Sequence, residues 1–164
     1  MVKIFISHST KDFRLVNVLG NYIRSFGIDV YIAERDYQPG KSLSQKIFRN
    51  IDTSNYFLVV YTINGKDSHY VSEEIGYWNG KKGEGNNLIP FVEKGINPEA
   101  SLCGVEYIEF DPLNPKLGMA NVTNYVRQQI KLKKKEVIYD VGITLGFAGI
   151  ISLIFYGLYK WGEK

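Results

Sequence analysis

Five short runs of β-branched and aromatic residues recur between residues 2 and 110, separated by segments whose apolar residues fall at three- and four-residue spacing. That alternation constrains the chain to an α/β fold, a five-stranded parallel sheet with helices on both faces. Each helical crossover must return the next strand beside the last in the same direction. The strand candidates are VKIFIS (2–7), IDVYIA (28–33), YFLVVYT (56–62), LIPFVE (88–93) and VEYIEF (105–110). The third is the most continuously apolar and is expected at the centre of the sheet, covered on both sides. A first helix is expected from Ser9 or Thr10, either of which suits a cap, to Phe26, with Val16, Leu19 and Ile23 inward and Gly27 as its stop. Ser42 and Gln45 have the spacing of a capping box, and Leu43, Ile47 and Ile51 give the next helix one apolar face. Further helices are expected from Ser68 to Trp78 and from Leu117 to Lys133, the latter with Met119, Val122, Val126 and Ile130 on one side. Sheets of this kind bind ligands at the carboxyl ends of their strands. That rim comprises HSTKD (8–12), ERDYQPGK (34–41) and the turn after Thr62.

Composition narrows the class. With 45% apolar residues in 164, the chain can build a core, and its single cysteine, Cys103, cannot form an internal bridge. A reducing compartment fits. Residues 1–130 carry 14 basic and 14 acidic groups, so the net charge of +3 lies in the tail and nothing argues for nucleic acid as a partner.

The tail has its own signature. Residues 141–159, VGITLGFAGIISLIFYGLY, are nineteen residues without a charge. As a helix they would span about 28 Å, close to the hydrocarbon thickness of a bilayer. Tyr139 and Trp161 flank the run, and KLKKK (131–135) precedes it. These features predict a single transmembrane helix over 137–160, a short tail at 161–164 and a domain over 1–135. The positive-inside rule puts that domain in the cytoplasm, with membrane lipid as the partner of the helix. A buried core helix is the competing assignment, but the run is apolar all round and the domain is too small to enclose it. The opening MVKIFISHSTK has too few apolar residues for a signal peptide. Gly142 and Gly146 have the small-residue spacing of a helix-pairing face.

Several chemistries are excluded. The sequence has no P-loop and no Gly-x-Gly-x-x-Gly after the first strand. His8, His69 and Cys103 lack metal-ligand spacing, and both histidines read as solvated or turn residues. A phosphoacceptor receiver domain shares the alternation but needs acidic residues after the first and third strands, where this chain has SHST and YTIN. One carboxylate stands out. Glu74 lies four after Tyr70, three after Val71 and four before Trp78, on the apolar stripe that also holds Ile75. Such a group is solvated at a rim, paired, or lining a cleft. Glu73 is rotated by about 100° and is expected in solvent.

ISHSTKD, ERDYQPGKSL, NYFLVVYT followed by S-x-Y-V-x-x-E-I-G-Y, and the late EFD occur in an order that resembles a Toll/interleukin-1 receptor (TIR) domain, most closely of the prokaryotic type. The resemblance covers about residues 1–130. It implies a flavodoxin-like sheet and, in many members, cleavage of NAD+ at the nicotinamide–ribose bond to ADP-ribose, cyclic ADP-ribose or isomers that act as signals. NAD+ is then a substrate, with no cofactor or metal implied. The family's catalytic glutamate falls on Glu74, and its substrate-contacting positions on Ser9, Thr10, Gln38 and Lys41. Ser9 and Thr10 also suit a purely capping role. Lys41 suits either a pyrophosphate contact or a solvated loop, and Arg35 is a candidate ligand or an assembly-surface charge. Two positions depart from the family pattern. Tyr70 stands where a tryptophan is usual, and some members carry basic or aromatic residues at the positions of Ser9 and Thr10. The resemblance also implies other TIR domains as partners, and a non-catalytic adaptor acting through such assembly is the alternative function.

Overall fold

The computed structural model describes residues 1–36, 38–40, 42–83 and 87–133. Lys41 and the whole expected transmembrane segment lie outside them. Among the described residues no helix is long and apolar enough to cross a membrane.

Five strands form one sheet: β1 (Lys3–Ser7), β2 (Asp29–Tyr31), β3 (Tyr56–Tyr61), β4 (Leu88–Glu93) and β5 (Ile108–Phe110). All pairings are parallel, in the order β2-β1-β3-β4-β5. β3 is central and every one of its residues is buried, as its continuous apolar run predicts. The outer strands β2 and β5 are shorter than their apolar runs. Each has a single neighbour, and past Tyr31 the chain leaves the ladder for a 3-10 turn at Ala33–Arg35.

The helices are α1 (Phe13–Arg24), α2 (Leu43–Asp52), the single turn α3 (Ile63–Lys66), α4 (His69–Lys82) and α5, helical over 116–133. Residues 1–124 form one compact unit, and residues 125–133 belong to a second, within which they are helical. α1 starts later than expected because Thr10–Asp12 form a 3-10 turn. Neither N-cap position, Ser9 for the turn or Asp12 for α1, makes a side-chain capping bond. Asp12 instead accepts hydrogen bonds from Thr62 Oγ1 at 2.6 Å and Asn64 Nδ2 at 2.8 Å, tying the end of β1 to the end of β3. α2 does carry the expected cap, with Ser42 Oγ accepting from the Gln45 amide at 3.4 Å.

The two faces of the sheet follow from strand alternation. Phe5 stacks on Phe57 at 5.4 Å, and Phe57 on Trp78 of α4 at 5.2 Å. This aromatic layer, with Ile51, Val71 and Ile75, forms a buried core cluster on one side of the sheet. Each such fully buried side chain contributes roughly 1.5–3 kcal/mol relative to exposure. Ser7 shares the pleat face of Phe5, so the face that carries this cluster carries a hydroxyl at its carboxyl end.

Candidate active site

Glu74 is set by α4. Ser68 caps the helix, its Oγ accepting from the Val71 amide at 3.4 Å. Val71, Ile75 and Trp78 are buried against the sheet and fix the rotation of the helix. That rotation brings Glu74 inward, where it is 9% exposed. Ser7 Oγ donates to Glu74 Oε2 at 2.5 Å, a distance typical of a hydroxyl on an ionised carboxylate. Burial pushes the Glu74 pKa up to about 7; the Ser7 hydrogen bond and the charge on His8 pull it down, while Glu34 and Glu73 add to the rise. Glu73 is exposed, as its rotation predicts, and pairs with His69 Nε2 at 3.1 Å. Tyr70 corrects the apolar-stripe assignment, since it is 69% exposed. It precedes Glu74 by one turn and stands at the mouth of a cleft rather than over the core.

That cleft has a volume of about 370 Å³ and opens at the carboxyl ends of β1 and β2. Its walls are Phe5, Ile6, His8, Ser9 and Thr10 from β1 and its loop, Ala33, Glu34 and Asp36 after β2, Leu43, Lys46 and Ile47 of α2, and Ser68, Tyr70 and Glu74. The sheet order reverses between β1 and β3, so the site sits beside the topological switch point.

His8 is buried, not the solvated turn residue that its polar context suggests. The Ile6 carbonyl can only accept, so His8 Nδ1, 3.2 Å away, carries a proton. Nε2 lies 3.2 Å from Glu34 Oε2, close enough for an ion pair though off-line for a hydrogen bond. An imidazolium satisfies both contacts. Burial disfavours that charge, yet Glu34 and the Ile6 carbonyl hold the His8 pKa above its ordinary value. Lys46, 7% exposed, donates to the Asp36 carbonyl and lies 3.7 Å from the Asp36 carboxylate.

The structure brings Ser9 and Thr10 together with Glu74 in the cleft. Gln38 lies outside it. Its Nε2 donates to Asp36 Oδ1 at 2.6 Å, and it borders an adjacent polar depression of about 530 Å³ with Ser42, Gln45, Lys46 and Arg49. Arg35 turns to α1, donating to Asn17 and, at 2.9 Å, to Asn21, and does not line the cleft. His8 and Glu34 fall in the rim segments 8–12 and 34–41 without an assigned role, whereas Ser7 and Lys46 were not legible as site residues. For Ser7 the usable signal was its two-residue spacing from Phe5; for Lys46 it was its place beside Ile47 and three after Leu43 on α2. Among the described residues no cluster of His, Cys, Asp and Glu is placed to hold a metal ion.

The geometry is that of a cleft with an apolar body in which the Glu74 carboxylate is held by the buried Ser7 hydroxyl. A carboxylate so held can face a developing positive charge without reorganising.

Among known proteins, the family model of the TIR domain matches residues 4–117. No curated protein matches the sequence. Among solved structures, the TIR domain of the Toll-related receptor TRR-2 from the lower metazoan Hydra magnipapillata is similar at a TM-score of 0.62 and 19% identity, covering 76% of this chain and 97% of that one. The TIR domains of the activated Roq1 resistosome give 0.51 at 23% identity over 57% of this chain and 58% of theirs. The CMP N-glycosidase BcmB of Clostridium botulinum gives 0.52 at 13% identity over 73% and 98%. At these identities the likeness is one of fold. The family match begins within β1, crosses all five strands and ends within α5, and the chain belongs to the TIR domain family.

Proposed function

We propose that this chain is an NAD+ glycohydrolase that cleaves the nicotinamide–ribose bond, with Glu74 as its catalytic residue. The observation that carries the proposal is Glu74 itself, buried at the carboxyl end of the sheet and held by Ser7 inside the cleft. Nicotinamide in NAD+ is already cationic, so the C1′–N bond breaks with its electron pair going to the ring and no general acid is needed. The ribose becomes an oxocarbenium ion. The Glu74 carboxylate offsets that charge and accepts hydrogen bonds from the ribose hydroxyls. Water adding to C1′ gives ADP-ribose and one proton, whereas an adenine nitrogen adding to the same carbon gives a cyclic product. Ser9 and Thr10, which line the β1 end of the cleft, are proposed to contact the substrate, and Lys41 is proposed to meet the pyrophosphate. The same fold serves a CMP N-glycosidase, an enzyme of a related bond type.

Self-association with other TIR domains and a membrane tether complete the proposal. Residues 137–160 are taken as a single transmembrane helix that holds the domain in the cytoplasm at high local density. A non-catalytic adaptor would need the surfaces of the domain but no carboxylate fixed inside the cleft. Incubating the full chain with NAD+ and separating the products tests the activity. Nicotinamide with ADP-ribose or a cyclic isomer is the expected result; NAD+ left intact at every protein density would refute it.

A further inference from the structure

The group that touches Glu74 most closely is the hydroxyl of Ser7. Ser7 ends β1, pairs with Val59 of β3 in register, and is fully buried. Its hydroxyl is therefore held by the central sheet and not by a loop. Among the described residues, the hydroxyl of Ser7 is the one donor to Glu74, on Oε2, and Oε1 accepts no hydrogen bond.

We propose that Ser7 is the positioning residue of this site, its hydroxyl locking Oε2 of Glu74 so that Oε1 is the oxygen presented to the ribose. The proposal rests on the NAD+ cleavage proposed above and adds the device that aims its carboxylate. Two effects follow from one hydrogen bond. It stops rotation of the carboxylate about its last torsion, which is otherwise broad. It also favours the ionised form, because the hydroxyl donates to a carboxylate. Among the described residues, the other ionisable groups around Glu74 are His8 after β1, Glu34 and Asp36 after β2, Tyr31 of β2, Lys46 of α2 and Glu73 on its own helix. None of them donates a hydrogen bond to Glu74 among the described residues, so Ser7 is the donor that orients its carboxylate.

The test uses the full chain as wild type, Ser7→Ala and Ser7→Thr. Infrared difference spectroscopy over a pH titration, with Glu74→Gln to identify the carboxyl signal, reads the ionisation of Glu74 without reference to activity. NAD+ cleavage is followed in parallel as kcat and KM. Ser7→Ala should raise the Glu74 pKa by at least half a pH unit, about a threefold change in proton affinity. The acid limb of the kcat profile should move with it, and kcat near neutral pH should fall at least tenfold while KM changes less than about threefold. Ser7→Thr restores a hydroxyl and should return both readings toward wild type. An unmoved Glu74 titration in Ser7→Ala overturns the proposal, as does a threonine variant indistinguishable from alanine. A wild-type chain that cleaves no NAD+ would refute the glycohydrolase function, while the titration would still decide what Ser7 does to Glu74.

Discussion

Glu74 is a group whose folding and function pull in opposite directions. Its pKa in the folded chain lies near 7, above the ordinary 4.5, because burial penalises the charged form more than Ser7 and His8 favour it. Folding thus prefers the protonated carboxyl. Its stabilising contribution is fully present below about pH 4.5 and is lost as the pH rises through about 7. The proposed catalysis needs the ionised form, so NAD+ cleavage should rise as the pH passes through about 7. Glu74→Gln cannot ionise, and should become more stable than wild type by about 2 kcal/mol at pH 8 while differing little at pH 5. Thermal unfolding of the two chains at both pH values checks this, and a difference that does not grow with pH would contradict burial as the cause of the shift. Helical spacing alone put Glu74 on the stripe with Val71, Ile75 and Trp78. It could not say that Tyr70 overhangs a cleft, nor that His8 and Glu34 meet across it. Depth at the end of a strand depends on what the next element covers, and single-residue periodicity carries no information about that.

At the scale of elements, existence was legible and ends were not. Five apolar runs became five strands, yet β2 and β5 hold only three residues each, because an edge strand stays in the ladder only as far as its one neighbour does. Ser9 was a plausible cap by residue type, but the buried Asp12–Thr62–Asn64 network decides where α1 begins. Gly118 shows a constraint invisible to pattern reading. A Cβ there would lie 2.5 Å from Phe110 Cβ and 2.9 Å from Phe91 Cε2, where those two rings stack. Gly118→Ala should therefore destabilise the domain by roughly 1–3 kcal/mol through overpacking. Gly76 in α4 has nothing within 4 Å of an added Cβ. Gly76→Ala should be neutral or stabilise by up to about 1 kcal/mol. Chemical denaturation of the two variants separates these cases, and a gain at Gly118 as large as that at Gly76 would mean that helix propensity, not the Phe110 contact, governs Gly118.

For the whole molecule, strand–helix alternation specified the parallel sheet and the rim on which the cleft opens, and the continuous apolar run of β3 its central strand. The proposed tether predicts that activity depends on density. Residues 1–135 at high dilution should cleave NAD+ weakly, and the full chain in lipid should cleave it faster per molecule. Replacing residues 137–160 with an unrelated monomeric membrane helix should preserve the gain if tethering suffices, and remove it if Gly142 and Gly146 form a pairing face. Equal rates for the dilute domain and the full chain in lipid would exclude a role for density. The central claim, that one buried carboxylate turns this fold into an NAD+-cleaving enzyme, is tested most directly by nicotinamide release from the full chain as wild type, Glu74→Gln and Glu73→Gln. Glu74→Gln is predicted to lose at least about 100-fold in kcat with its fold intact, and Glu73→Gln to stay within about threefold of wild type. A folded Glu74→Gln chain that releases nicotinamide as fast as wild type would contradict the account.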